Sequence, residues 1–258
     1  MPSWKSAHRS GVTAKMSELV LFEQRGGIAV LTLNRADKRN ALNIALWAEL
    51  ESHLERIEQA GDAIGVVVLR AAGPVFCAGN DLKERGAETP RPNYQASIVT
   101  RLAELQQPVI VAVQGGCFTG GLELALAGDI ILAGESATFA DTHGQFALVP
   151  IWGMSQRLPR RVGQAKAREI SFTGLPVSGT EAARIGLANH CLPDAELEAK
   201  TMAMAEAIAA QSRHSVFAYK ALYREAEDLP LKAGLAHEVF NTAGIGPDFA
   251  ERVGRRFG

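Results

Sequence analysis

The sequence predicts an α/β fold whose C-terminal part is helical. Two observations support this class. Apolar runs of strand length alternate with helical patterns through roughly the first 160 residues, and from Gln164 onward helical patterns dominate. Strands that come first and helices that come last are typical of an α/β core followed by a helical region. No break in composition divides the chain into independent domains.

The N-terminal half begins with a predicted β-hairpin, residues 19–24 and 28–33, separated by Arg-Gly-Gly. Asn43 is positioned to cap an amphipathic helix over 44–59, whose apolar residues recur on one face. A buried strand over 64–70 follows. The polar segment 84–93, rich in Pro, Arg and Glu, is a candidate mobile lid.

The rest of the chain alternates short strands and helices before it becomes helical. Ser178 and Thr180 lie where they would cap a helix over 181–185. The predicted strands are 108–113, 130–133 and 137–140, and the predicted helices are 94–106, 122–127, 155–162, 181–185, 194–210, 214–227 and 231–241.

Composition excludes several classes of function. The 258 residues carry a formal net charge of −1 with scattered Lys and Arg, so no nucleic-acid partner is expected. No apolar run approaches the roughly 20 residues of a membrane span, so no membrane-spanning segment is expected. The three cysteines, widely spaced and without a metal-ligand pattern, indicate a cytoplasmic protein with reduced thiols.

Residues 1–15 differ from the remainder. They are basic, they lack the apolar core of a signal peptide and they show no periodicity. We expect a disordered N-terminal extension over 1–15, a core over 16–195 that holds the site, and a helical region over 196–258.

The stretch 115–129, GGCFTGGLELALAGD, has the character of an active site. Its short helix is apolar on every side except at Glu123, and burial of a carboxylate is costly without partners. Gly120 lies one turn before Glu123, so a backbone N–H and an acid or base share one side of the turn. The alternative is a structural carboxylate that caps neighbouring backbone. The spacing does not match a phosphate-binding loop.

Four stretches resemble the crotonase (enoyl-CoA hydratase/isomerase) superfamily, from about Met16 to the end. They are LNRADKRNALN at 33–43, FCAGNDLK at 76–83, the stretch 115–129 and GMSQRLPRRVG at 153–163. The resemblance implies a crotonase-like spiral of β-β-α units with a helical C-terminal trimerisation region. It also implies a coenzyme A thioester as substrate, and homotrimers or homohexamers.

The resemblance also implies the site residues. The backbone N–H groups of Asn80 and Gly120 would form an oxyanion hole for the thioester carbonyl; Asn80 is also compatible with an Asx-type turn. Family hydratases use two glutamates, of which the first falls on Glu123 and the second on His143. Imidazole can act as a base near neutral pH, and Asp141 is placed to orient it. A loop histidine bonded to Asp141 is the alternative for His143.

The loop 33–43 and the turn 78–83 would hold the nucleotide end of coenzyme A. Its phosphates are expected on Lys38 and Arg39, for which a solvated loop pair is the alternative. Ala41 and Ala78 would contribute backbone or van der Waals contacts. The expected binding residues are Lys38, Arg39, Ala41, Ala78, Asp81 and Leu82. No metal and no cofactor other than coenzyme A itself is expected.

These features lead to one functional hypothesis and its alternatives. The hypothesis is an enoyl-CoA hydratase of fatty acid metabolism with His143 in place of the second glutamate. Isomerisation, thioester hydrolysis and a non-catalytic acyl-CoA binder remain open. Trp152 and Phe146 flank the turn and are candidates for an acyl pocket, although a core position is the favoured role for Phe146.

Overall fold

A six-stranded sheet forms the core of the computed structural model, which describes residues 18–84 and 86–257. The predicted extension over 1–15 lies outside these residues. The strands of this sheet are β1 (Val20–Arg25), β2 (Ile28–Leu33), β3 (Val66–Ala71), β4 (Val109–Val113), β6 (Ile130–Gly134) and β9 (His190–Leu192), and those of a second sheet are β5 (Gly116–Phe118), β7 (Thr138–Ala140) and β8 (Val177–Ser178).

The larger sheet has the order β1-β2-β3-β4-β6-β9. Its first pair is the antiparallel hairpin, which turns at Gly26 with a positive φ of 57°. All other neighbours are parallel, from β2–β3 through to β6–β9. The three-stranded sheet has the order β5-β7-β8. Parallel neighbours require crossover connections, and helices and loops supply them here.

The helices are α1 (Ile44–Ala60), α2 (Tyr94–Glu104), α3 (Gly120–Ala125), α4 (Met154–Val162), α5 (Gln164–Thr173), α6 (Gly179–Arg184), α7 (Asp194–Ala209), α8 (Arg213–Ala226), α9 (Leu231–Phe240) and α10 (Phe249–Phe257). Short 3₁₀ turns lie at Ala36–Lys38, Gly61–Ala63, Leu82–Glu84 and His143–Phe146.

Helices cover both faces of the larger sheet at its inner strands, so these strands are largely apolar on both sides. In β2, Ala29, Leu31 and Leu33 join the main hydrophobic core with α1 and α2. Ile28 and Val30 join a smaller cluster, which α7 covers from the other face. All six residues of β2 are buried, as expected for a strand within a covered, mostly parallel sheet.

The long, strongly patterned elements agree with the sequence predictions. The hairpin is present, and the Asn43 side chain accepts a hydrogen bond of 3.0 Å from Leu46 N at the start of α1. Ser178 caps α6 in the same way, through Glu181 N at 3.2 Å. Boundaries differ by at most two residues. The strands β5, β8 and β9 and the helices α5 and α10 were not given predicted ranges. For the strands the reason is their length, because two or three paired residues leave no periodic pattern.

The short helix of the central stretch is shifted from its predicted range of 122–127. It runs from Gly120 to Ala125, and every residue in it is buried. The end is tightened by hydrogen bonds from Ala127 N to Leu124 O and from Gly128 N to Ala125 O, which span three residues instead of four. This tightening ends the α-helix two residues earlier than the apolar pattern suggests.

The segment 84–93, predicted as a mobile lid, is tied to α1 near both ends; its Arg85 lies outside the described residues. Glu84 accepts a hydrogen bond of 2.9 Å from Ile44 N, at the start of α1. Arg91 pairs with Glu51 at 2.6 Å, further along the same helix. The lid role stays a prediction. Among the described residues, no helix has the length and apolar character needed to cross a membrane.

Candidate active site

Two turns of the chain meet next to α3. Cys77 and Cys117 form a parallel bridge, in which Phe118 N donates to Cys77 O at 3.0 Å. Gly79, with φ of 101°, follows this bridge, and a Cβ built on it would lie 3.5 Å from Gly120 N. The turn 78–83 and the start of α3 are therefore in close contact, as the resemblance predicts.

The two turns present the backbone N–H groups of Asn80 and Gly120. Around Asn80, Leu42 N donates to Gly79 O and Asp81 N donates to Leu42 O, so the Asn80 N–H faces the other way. Within the part of the chain that the structure describes, neither N–H donates a hydrogen bond. Two unengaged donors at adjacent turns are what an oxyanion requires.

Glu123 is almost fully buried, with 1% of its surface exposed. Its Oε1 accepts hydrogen bonds from Trp152 N at 2.8 Å and Met154 N at 3.1 Å. Burial raises the pKa of Glu123; the two backbone N–H groups and nearby His143 offset this rise only in part. One carboxylate oxygen therefore holds the chain at 152–154, and Oε2 remains available for chemistry.

His143 faces Glu123 from the turn after β7. Its Nε2 lies 3.6 Å from Glu123 Oε2, and its Nδ1 lies 2.6 Å from Asp141 Oδ1. Burial raises the pKa of Asp141, but hydrogen bonds from the side chains of His143 and Ser171 outweigh it and hold that pKa below its usual value. An ionised Asp141 favours the tautomer with the proton on Nδ1, which leaves Nε2 as the acceptor beside Glu123.

For Glu123 and His143 alike, the structure is compatible with the structural role and the chemical role together. Glu123 supports backbone with one oxygen, and His143 is bonded to Asp141, yet the two side chains also face each other. Their 3.6 Å separation exceeds an ordinary hydrogen bond, so both reactive atoms are free to engage a third group. A carboxyl group whose pKa is raised by burial, next to an imidazole that Asp141 orients, is a pair suited to donating and accepting a proton.

The residues predicted to hold the nucleotide end of coenzyme A lie where the loop 33–43 meets the turn 78–83. Ala78 N donates to Arg39 O at 3.0 Å, and Ala41 N donates to Lys38 O at 3.1 Å. Lys38, Arg39 and Leu82 are exposed, and Ala41 and Ala78 are half-buried. Their binding role stays a prediction.

Asp81 is engaged within the protein. Arg35 binds its carboxylate at 2.7 Å, and this hydrogen bond is the main cause of an Asp81 pKa below the usual value. Arg35 also donates to Ala41 O at 2.9 Å, so the pair holds the loop 33–43 against the turn 78–83. This Arg35 contact was not predicted from the sequence.

Trp152 has a larger part in the site than its sequence position suggested. Its backbone N–H donates to Glu123. Its ring packs against Gly120 and meets the Trp47 ring edge to face, with ring centroids 5.2 Å apart. The favoured core position for Phe146 was wrong, because its side chain is 53% exposed at the end of the 3₁₀ turn. Thr119 and Thr142, which no sequence pattern singled out, join the two sides of the site through hydrogen bonds.

Comparison with known proteins agrees with this fold. A family model described as enoyl-CoA hydratase/isomerase matches residues 23–245. A probable peroxisomal enoyl-CoA hydratase 1 of Arabidopsis thaliana is 34% identical over 218 residues, covering 84% of this chain and 82% of the relative. The 1,2-epoxyphenylacetyl-CoA isomerase of Escherichia coli is 32% identical over 249 residues, covering 92% and 95%.

Solved structures agree as well. The enoyl-CoA hydratase of Bacillus anthracis superposes with a TM-score of 0.86 at 32% identity, covering 92% of this chain and 95% of that one. The architecture is therefore that of a crotonase fold. The chain belongs to the enoyl-CoA hydratase/isomerase family, as its four motifs predicted.

Proposed function

We propose that the protein is an enzyme that adds water to a trans-2-enoyl-CoA. The observation that carries this proposal is the buried pair of Glu123 Oε2 and His143 Nε2, 3.6 Å apart and next to two unengaged N–H donors. The thioester oxygen would accept hydrogen bonds from the N–H groups of Asn80 and Gly120. Negative charge that develops on this oxygen during addition is stabilised there.

The acid and base roles follow from the surroundings of each group. His143 Nε2 takes a proton from water, and the hydroxide formed adds to the β-carbon while electrons move onto the thioester oxygen. Glu123, whose pKa is raised by burial, delivers a proton to the α-carbon as the carbonyl re-forms. The proton on His143 then returns to Glu123, so the pair is restored. Asp141 fixes the imidazole in the tautomer that this sequence needs.

The remaining features of the proposal concern binding and assembly. No metal or cofactor beyond the coenzyme A of the substrate is invoked, and Lys38, Arg39 and the turn 78–83 would hold its nucleotide end. We place the enzyme in the cytoplasm, in keeping with its three free thiols. Homotrimers, or hexamers of paired trimers, would form through α8–α10, where large apolar side chains are exposed.

Double-bond isomerisation is the second candidate. It is supported by a solved structure described as a monofunctional enoyl-CoA isomerase of M. smegmatis, which superposes with a TM-score of 0.75 at 30% identity and covers 85% of this chain and 99% of that one. Isomerisation needs the same stabilised enolate but moves one proton between carbons, which a single residue can do. The two candidates therefore differ in whether both Glu123 and His143 are required, and in whether water enters the product.

The test is a mass-spectrometric screen against short, long and branched enoyl-CoA thioesters. Wild type, Glu123→Gln and His143→Ala are compared with the exposed controls Glu135→Gln and His190→Ala. We expect product heavier by one water from wild type and from both controls. Each site variant should lose about 10²-fold or more of the rate, the range for loss of an acid–base group.

Other outcomes would overturn the hydratase proposal in distinct ways. A product of unchanged mass with a moved double bond would establish an isomerase. Release of free coenzyme A would establish a thioester hydrolase. Binding without any product would leave an acyl-CoA binder.

A further inference from the structure

Thr119, directly before Gly120, has a backbone conformation that residues other than glycine rarely adopt. Its φ is 52° and its ψ is −110°, a combination suited to glycine. Threonine is β-branched, which makes the positive φ still less favourable. Such a conformation persists only where surrounding contacts enforce it, and it is found preferentially at functional sites.

The contacts that enforce it come from the turn that carries His143. Thr119 N donates to Ala140 O at 2.9 Å. Thr142 N donates to the Thr119 hydroxyl at 3.3 Å, and the hydroxyl groups of Thr119 and Thr142 are hydrogen-bonded to each other. Thr142 immediately precedes His143, so these bonds connect the start of α3 to the base of the proposed reaction.

The ψ angle of Thr119 determines where the Gly120 N–H points, because it rotates the peptide group that joins these residues. The carbonyl of that peptide group accepts a hydrogen bond of 2.9 Å from Glu123 N. In a trans peptide the N–H points opposite to the C=O, so this bond directs the Gly120 N–H away from α3. The donor is thus held by Thr142 on one side and by Glu123 N on the other.

We propose that Thr119 and Thr142 form a positioning pair, which holds the oxyanion donor Gly120 N–H in register with His143. The inference rests on the proposed function, because it assigns the pair a task in the same oxyanion hole. The hydroxyl groups do not touch the substrate in this scheme. They act through the direction of the Gly120 N–H, and an oxyanion hole is effective only when its donors are aligned before the reaction.

The test compares variants that separate the hydroxyl group from the backbone preference. Thr119→Val keeps the β-branch and removes the hydroxyl, whereas Thr119→Ser keeps the hydroxyl. Thr142→Val and the double variant probe the partner. Thr201→Val is the control, because Thr201 is a buried threonine of α7 whose hydroxyl bonds Leu197 O, remote from the site.

We expect kcat to fall about tenfold in Thr119→Val with KM unchanged, which is less than the 10²–10³ for outright loss of an oxyanion donor. Thr119→Ser should retain most of the rate. The double variant should be no slower than Thr119→Val, since the two hydroxyl groups act as one unit. Thr201→Val should lose thermal stability but no kcat. A Thr119→Val enzyme with the kcat of wild type would overturn the proposal.

A second measurement keeps this inference separate from the reaction type. Butyryl-CoA, which has no double bond to react, is bound to each variant and its thioester carbonyl stretch is recorded by infrared difference spectroscopy. In wild type and Thr119→Ser, we expect the carbonyl stretching frequency of bound butyryl-CoA to lie below that of free butyryl-CoA. In Thr119→Val it should return toward the frequency of free butyryl-CoA. Equal frequencies in wild type and Thr119→Val would overturn the positioning role. Absence of turnover in wild type would overturn only the proposed function.

Discussion

At the scale of single residues, the two oxygens of Glu123 have different tasks. Oε1 accepts two backbone N–H groups and so orders the chain at 152–154, while Oε2 faces His143. Two hydrogen bonds do not fully compensate the burial of the carboxylate, which is why its pKa is raised. The protein thus keeps a group in its core that is poorly stable when charged and useful for proton transfer.

This conflict leads to a prediction about stability. In Glu123→Gln, the amide oxygen can still accept both N–H groups, and no charge is buried. Because the folded-state pKa of Glu123 is raised, its contribution to stability is present below the unfolded pKa and is lost as pH rises through the folded pKa. We therefore expect Glu123→Gln to be inactive but more stable than wild type at pH 8.

Thermal unfolding from about pH 4 to pH 8 measures the effect. A rise of one pH unit in the pKa corresponds to about 1.4 kcal/mol, and 1 kcal/mol shifts Tm by roughly 2–4 °C for a chain of this size. The advantage of Glu123→Gln should shrink toward pH 4. The exposed control Glu135→Gln should follow wild type throughout. A Glu123→Gln variant less stable than wild type at pH 8 would contradict this account.

At the scale of elements, α3 and the segment before α4 form one unit. Trp152 connects them. Its backbone N–H donates to Glu123 and its ring packs on Gly120. Its backbone carbonyl accepts a hydrogen bond of 2.7 Å from Arg157. The paired glycines are needed for this packing as well as for the N–H donor. A Cβ on Gly121 would lie 2.6 Å from Cys77 O.

Gly120→Ala tests this unit. A Cβ on Gly120 would overlap the Trp152 ring, and displacement of Trp152 would also withdraw the N–H from Glu123. We expect a loss of about 1–3 kcal/mol in the free energy of unfolding, typical of overpacking, and a large loss of activity. Urea denaturation measures the first effect and the hydration assay the second.

Gly254→Ala is the matched control for that substitution. Gly254 is exposed in α10, and a Cβ there meets no atom within 4 Å of the described residues. A gain of about 0.5–1 kcal/mol is expected, because glycine disfavours the interior of a helix. If Gly120→Ala were as stable and active as wild type, the close packing of Trp152 on α3 would have no functional role.

At the scale of the whole molecule, several large apolar side chains of α8–α10 are exposed. Tyr219 and Tyr223 stack on α8 with 59% and 71% of their surfaces exposed, and Phe240 at the end of α9 is 85% exposed. Large apolar patches on an otherwise well-packed chain indicate an association surface. This surface belongs to the region that the family resemblance assigns to trimerisation.

Phe240→Asp is predicted to weaken assembly without unfolding the chain, because the side chain makes little contact within its own subunit. Light scattering after size exclusion should give wild type a mass of three or six chains of 27.6 kDa. The variant should give smaller species at low micromolar concentration. Phe76→Asp, a buried core substitution, should instead unfold the protein. A monomeric wild type would contradict the predicted trimer.

The sequence by itself determined the fold class, the long elements and the family. Helix α1 has a periodic apolar pattern, strands β2 and β4 are continuous apolar runs, and all three have clear ends. Each motif, around Asn80 and around Gly120 and Glu123, is also a contiguous stretch of the chain. Local patterns of this kind depend only on neighbouring residues. The position of His143 followed from counting along a motif. Its partners Asp141 and Glu123 were therefore foreseeable as residues, but their distances were not.

Only the tertiary structure decided how these residues act together. The hydrogen bond from Trp152 N to Glu123 joins residues that are 29 positions apart in the chain, and the Thr119–Thr142 hydrogen bonds join residues 23 positions apart. The exposure of Phe146 and the pairing of Arg35 with Asp81 are likewise outcomes of packing. The short strands β5, β8 and β9 form because a partner strand is present. Long-range contacts leave no periodic signal in the chain, since each depends on where distant segments pack.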